Sequence, residues 1–166
     1  MPDAIFAADL DETPMPGELP RQAALRLAHA KAQSCPEDDA FVLAADTVVA
    51  AGRRILPKAE NAAQARACLD LLSGRRHRVF TAVVLRHGTL RRERVVECAV
   101  TFARLSEAQI GAYLESGEWQ GKAGGYAIQG RAAGHIRFLS GSYSAVVGLP
   151  LFETAQLLRG AGWMQP

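Results

Sequence analysis

Phe41-Val42-Leu43-Ala44-Ala45-Asp46-Thr47-Val48-Val49 is the stretch on which the reading of this chain turns. A run of β-branched and small apolar residues predicts a buried strand. Within it sits one carboxylate, Asp46, followed at once by the hydroxyl of Thr47. A carboxylate in apolar surroundings is costly unless it is paired, hydrogen-bonded or set against a cation. Most buried strands carry no acid, so Asp46 marks a place where chemistry outweighs packing. The reading that follows is metal-dependent phosphate chemistry centred on Asp46, with lysines from other segments gathered around it.

Upstream, Pro14 and Pro16 keep the segment irregular, and Pro20 suits the first turn of a helix. Leu25, Leu27, Ala28 and Ala32 give that helix an apolar stripe, with Lys31 near its end. Downstream, Gly52-Arg53 predicts the bend of a hairpin that returns through Ile55-Leu56 and stops at Pro57-Lys58. Asn61 caps a second helix whose buried face uses Ala65, Cys68, Leu69 and Leu72, and Gly74 ends it. Two long strands then flank the turn His87-Gly88. The first, Val79 to Leu85, is so apolar that both its faces are expected to be covered; the second returns from Leu90 to Leu105.

Ser106-Glu107-Ala108-Gln109 is a capping box that opens a helix with Ile110, Tyr113 and Leu114 on its stripe and Gly117 at its end. Gly121 to Gly130 is the most glycine-dense stretch, with Lys122 inside it; glycines let amides approach a phosphate, so an anion nest is expected there. His135 to Leu139 predicts another strand. Pro150 opens a last helix through Arg159, with Leu151, Thr154, Ala155 and Leu158 on its apolar side. This order of elements, with antiparallel hairpins inside it, predicts an α/β fold: a mixed sheet with helices on both faces.

Bulk properties exclude several classes. A chain of 166 residues, 49% hydrophobic and 22% charged, is expected to be a single domain with a substantial core. A net charge of +2 gives no reason to expect nucleic acid or membrane as a partner. Arg91, Arg92 and Arg94 lack the interleaved aromatics of a base-stacking surface and read as a solvated strand end. Cys35, Cys68 and Cys98 are odd in number and far apart, so they read as reduced thiols and place the chain in the cytoplasm. The histidines show no ligand spacing, and zinc is not expected.

Four separated segments together resemble the Maf family of nucleoside triphosphate pyrophosphatases. They are Asp9-Leu10-Asp11-Glu12-Thr13; Ala45-Asp46-Thr47-Val48-Val49 with Ile55-Leu56-Pro57-Lys58; Leu72-Ser73-Gly74-Arg75-Arg76-His77-Arg78-Val79; and Lys122 to Gly130, continuing to Gly141-Ser142-Tyr143 and Val147 to Leu151. They occur in the family's order. The resemblance implies an elongated mixed sheet with helices on both faces of a central cleft, similar to the inosine triphosphate pyrophosphatases. It implies cleavage of a nucleoside triphosphate between its α and β phosphates, and it admits a homodimer. By position, Asp46 matches the proton acceptor, Thr47 and Gln129 match positions that influence base choice, Glu12 matches an acidic site residue, and Lys31, Lys58 and Lys122 match lysines near the triphosphate. Gln129 resembles the branch associated with dTTP and UTP; modified nucleotides are the other substrate class.

The resemblance has one large departure. Family members usually open with a strand and a Ser-x-Ser-Pro-Arg-Arg loop, whereas Met1 to Ile5 corresponds to a point after them. The expectation is therefore an N-terminally incomplete domain, with a catalytically weak nucleotide-binding or regulatory protein as the alternative to an enzyme. Smaller departures are Gly121, where aspartate is common, and Pro57-Lys58-Ala59, where Gly-Lys-Pro is common. A triphosphate repels an attacking water, and a divalent ion with oxygen ligands relieves that repulsion. Glu12 and Asp46 are the candidate ligands for Mg²⁺, or for Mn²⁺. Asp46 is equally a candidate general base, and the sequence does not separate the two roles.

Overall fold

The structure, a computed structural model, describes residues 4–163. In chain order the elements are α1 (Pro20–Ser34), β1 (Val42–Ala51), β2 (Arg54–Leu56), α2 (Ala62–Leu72), β3 (Arg76–His87), β4 (Leu90–Phe102), α3 (Glu107–Glu115), a 3-10 turn (Arg131–His135), β5 (Ile136–Ser140), α4 (Tyr143–Val147) and α5 (Leu151–Gly160). The strands form one sheet in the order β2-β1-β3-β4-β5.

The α/β class and the helices on both faces are as expected. Strand direction is not: every pairing between the described strands is antiparallel, where a mixed sheet was expected. The reason lies in the connections. Tight turns at Gly52 and Gly88 join β1 to β2 and β3 to β4, and a hairpin can only reverse the chain.

Alternation along the central strands sorts the core into two layers. Val48 and Ala50 of β1, with Phe80, Ala82 and Val84 of β3, pack under the small residues Ala23, Ala24, Ala28 and Ala32 of α1. On the opposite face Val49, Val79, Val100 and Phe102 meet Ala65, Cys68, Leu69 and Leu72 of α2 together with Tyr113 and Tyr126. β3 is buried from Val79 to Arg86, which explains why its sequence lacks a polar alternation.

Two local readings shift. The apolar side of α5 is Thr154 and Leu157, with Leu158 half-buried, while Leu151 is exposed. The helix starts directly after Pro150, and its face is set by Val83 and Leu85 of β3, against which Leu157 packs. The short helix α4 was not anticipated. It is capped by Ser142, whose hydroxyl accepts from the Ala145 amide, and it ends at Gly148 with φ +133°.

Arg86, on β3, is buried and fastens the end of α1. Its guanidinium donates to the carbonyls of Ala32 at 3.2 Å, Cys35 at 2.7 Å and Glu37 at 2.9 Å, and to Asp38 at 2.5 Å. Asp38 is exposed, so the ion pair itself contributes little, and the three carbonyls carry the weight. Arg86→Ala is expected to lower stability by about 3 kcal/mol in urea denaturation, because it removes these donors and leaves a buried void.

Candidate active site

Side chains from six separate segments meet at the open edge of β1. The strand pairs with β3 from Val42 to Ala50, but with β2 only from Val49 to Ala51. Among the described residues, nothing pairs with the other edge of β1 from 42 to 48. A cleft of about 280 Å³ lies there. Ala45, Asp46, Thr47 and Val49 all line it, although successive strand side chains point to opposite faces, so the cleft wraps around the strand edge.

On the α1 side the cleft is ionic. Asp46 is 4% exposed, and its Oδ1 accepts a hydrogen bond from the Lys31 ammonium. Lys31 reaches it from the last turn of α1, whose Ala28 and Ala32 pack in one cluster with Val48 and Ala50 of β1. The same ammonium is 2.8 Å from Glu12 Oε1, and Lys58 pairs with Glu12 Oε2. Two carboxylates and two ammonium groups thus alternate along a chain of ion pairs. Asp46 Oδ2 is buried and has no hydrogen-bond partner.

The electrostatics follow from burial and pairing. Burial pushes the Asp46 carboxyl above its ordinary value of 3.8, and the Lys31 ammonium opposes this without cancelling it. Glu12 is also penalised by burial, but hydrogen bonds from Lys31 and Lys58 outweigh the penalty and hold it below 4.5. Burial works against the Lys31 charge, yet Asp46 and Glu12 together hold its pKa above 10.5. The site therefore contains one firmly ionised carboxylate, one carboxylate whose proton is held more tightly, and a lysine charged at neutral pH.

Backbone pairing brings Lys122 to the same rim. Lys58 and Ala123 form an antiparallel bridge, the Gly121 amide donates to Ala59 at 2.9 Å, and the Gly124 amide donates to Pro57 at 3.0 Å. This overturns the anion nest expected of the glycine-rich stretch. The amides of Gly121, Gly124, Gly125 and Gly130 are all engaged with protein carbonyls. The glycines serve packing instead. A Cβ on Gly124 would come within 2.8 Å of Val49 Cγ1, and Gly124 and Gly125 have φ of +69° and +70°.

The other side of the cleft is apolar with a single amide. Val79, Ala127, Ile128 and Val146 line it, with Thr47 and Gln129. The segment carrying Gln129 is anchored from below. Tyr113 Oη accepts from the Ala127 amide at 3.1 Å, and Glu118 accepts from the Arg131 amide at 2.6 Å. Tyr126 Oη lies 2.8 Å from His77 Nε2, and burial holds the His77 pKa down at about 4, so the ring is neutral at neutral pH.

All the residues singled out from the sequence come together. Lys31, Asp46, Thr47, Lys58, Lys122 and Gln129 line the cleft, and Glu12 lines the adjoining hollow shared with Asp46, Thr47 and Lys58. Sequence reasoning missed His77, Thr81 and Tyr126 as supports. A lone hydroxyl, Thr81, in the apolar run of β3 was the available signal, since a buried hydroxyl needs a partner.

A buried acid at a sheet edge, rimmed by lysines and continued by an apolar wall, defines an α/β protein with a cleft for an organic polyanion. The family described as Maf-like protein matches residues 2–161, and the chain belongs to the Maf family. It is 64% identical to a dTTP/UTP pyrophosphatase of Gluconobacter oxydans over 96% of this chain and 77% of that protein. It is 60% identical to a dTTP/UTP pyrophosphatase of Maricaulis maris, covering 98% and 79%. A dTTP/UTP pyrophosphatase of Granulibacter bethesdensis is 58% identical, with 98% and 84% covered.

Proposed function

We propose that this chain hydrolyses a nucleoside triphosphate, dTTP or UTP, to the monophosphate and pyrophosphate. The observation that carries the proposal is Asp46: a buried carboxylate lining the cleft, with one oxygen on Lys31 and the other without a hydrogen-bond partner. The names of the relatives support the substrate class.

In this reading Asp46 Oδ2 takes a proton from a water aimed at the α-phosphorus. A carboxyl that burial holds above its ordinary value is a better proton acceptor than a free one. Lys31, Lys58 and Lys122 bind phosphate oxygens and offset the charge that gathers on the departing pyrophosphate. Glu12 keeps Lys31 and Lys58 in place, and phosphate oxygens are alternative acceptors for the same ammonium groups. The apolar wall takes the base, with Thr47 and Gln129 contacting its polar edge.

A divalent cation fits the donor set. Asp46 Oδ2 has lone pairs to offer and Glu12 is a second hard oxygen ligand, while no cluster of three or more such side chains was found among the described residues. Mg²⁺ is commonly held by one or two carboxylates together with substrate phosphates. Asp46 and Glu12 would hold it, or Mn²⁺, and when bound it neutralises phosphate charge. The family resemblance extends the reading to a cytoplasmic homodimer; sedimentation at micromolar concentration tests the dimer.

The protein is incubated with Mg²⁺ and a panel of nucleoside triphosphates, and pyrophosphate is measured. Release from dTTP and UTP is expected, abolished by EDTA and restored by added Mg²⁺. No turnover above an Asp46→Asn control rejects the proposal. Thermal stabilisation by triphosphate without turnover would favour the nucleotide-binding alternative.

A further inference from the structure

The hydroxyl of Thr47 is not free to choose its role. Thr47 and Thr81 are paired across β1 and β3, and their Oγ1 atoms lie 3.0 Å apart. Thr81 Oγ1 is also 2.6 Å from the carbonyl oxygen of Ala145. A carbonyl has no proton, so Thr81 must donate to it. A threonine hydroxyl has one proton, so Thr81 can only accept from Thr47. The proton of Thr47 is therefore spent on Thr81, and toward the cleft Thr47 offers lone pairs alone.

We infer that Thr81 is a positioning residue that makes Thr47 an obligate hydrogen-bond acceptor, so that the cleft selects a pyrimidine bearing an imide N–H over one bearing a ring-nitrogen acceptor. This rests on the reading above, in which the apolar side of the cleft takes the base, with Thr47 facing ring position 3 and not position 4, where the cytosine amine would be the donor. Uracil and thymine carry a proton on N3; cytosine has a lone pair there. Lone pair against lone pair repels, and a desolvated acceptor left without a donor is costly. Gln129 does not supply this discrimination by itself. Its side chain makes no hydrogen bond to the described residues and its amide can turn either end to the base. Thr81 is fully buried, with 0% exposure, so it touches no ligand and acts only through Thr47.

The test compares Thr81→Val with Thr81→Ser. Valine keeps the shape and removes the acceptor, which frees the Thr47 proton to turn toward the cleft. Serine keeps the relay. Dissociation constants for UMP and CMP, and kcat/KM for UTP and CTP, are measured on each. Wild type is expected to prefer uracil. Thr81→Val should shrink the uracil-to-cytosine ratio about tenfold, chiefly by gaining cytosine, and Thr81→Ser should hold it within about twofold. A structural role alone would lower both bases together and leave the ratio unchanged, which would overturn the inference. So would a wild type with no uracil preference, or a serine variant that shifts as far as valine. If Thr81→Val does not fold, Thr47→Val replaces it and should lose affinity for UMP but not for CMP. A uracil preference in binding without pyrophosphate release defeats the proposed hydrolysis and leaves this inference standing. Hydrolysis with an unmoved ratio does the reverse.

Discussion

Asp46→Asn is expected to lower pyrophosphate release by about 10²–10⁴-fold, the usual worth of a positioned proton acceptor. Asparagine has the shape of aspartate but cannot take the proton. Its amide oxygen can still accept from Lys31, and Glu12 still pairs with both Lys31 and Lys58. The fold should therefore survive, with an unchanged urea m-value and no loss of stability. Stability is expected to rise, because the substitution removes a buried charge whose Oδ2 has no partner. Activity above a tenth of wild type would show that Asp46 is not the base. Loss of cooperativity would show that it is a structural group.

Lys31→Met should have the second largest effect, and it should depend on pH. Lys31 is the cation that restrains the upward shift of Asp46. Without it, burial and the Glu12 charge are opposed only by the weaker pull of Lys58, and the Asp46 pKa climbs further from 3.8. The acidic limb of kcat/KM, which reports this group in the free enzyme, should move to higher pH. The sign for stability follows from proton binding. A carboxyl raised on folding binds a proton that the unfolded chain has already lost. Its ionisation therefore opposes folding, increasingly as pH rises from 3.8 through the folded value. Lys31, raised above 10.5, contributes stability that is present below 10.5 and lost as pH climbs through its folded value. The variant loses that contribution and bears the larger Asp46 penalty. At pH 8 the loss should reach about 3 kcal/mol, the scale for an uncompensated buried charge. At pH 5, where more of Asp46 is protonated, denaturation should show a smaller loss. A loss independent of pH would mean that Lys31 matters only for packing.

Local rules read much of the fold correctly. The face of α2 is Ala65, Cys68, Leu69 and Leu72, as its 3.6-residue spacing demands, and Asn61 accepts the Gln64 amide as a cap should. The box at Ser106 and Gln109 is closed on both sides. These features depend on neighbours within a few residues, so sequence order expresses them. Strand direction, the face of α5 and the fate of the glycine amides depend on partners far along the chain. Gly121 and Gly124 look like a phosphate cradle until the segment 57–59 takes their hydrogen bonds.

The chain's order of residues was enough to mark Asp46 as an acid out of place, because the cost of burying charge is a property of the group itself. It was also enough to name the lysines and Gln129 through resemblance. Only the folded chain decided which oxygen of Asp46 is free, which carboxylate shares Lys31, and which way the Thr47 proton points. Those facts are set by contacts across 15 to 64 residues of sequence, where no local periodicity carries the information.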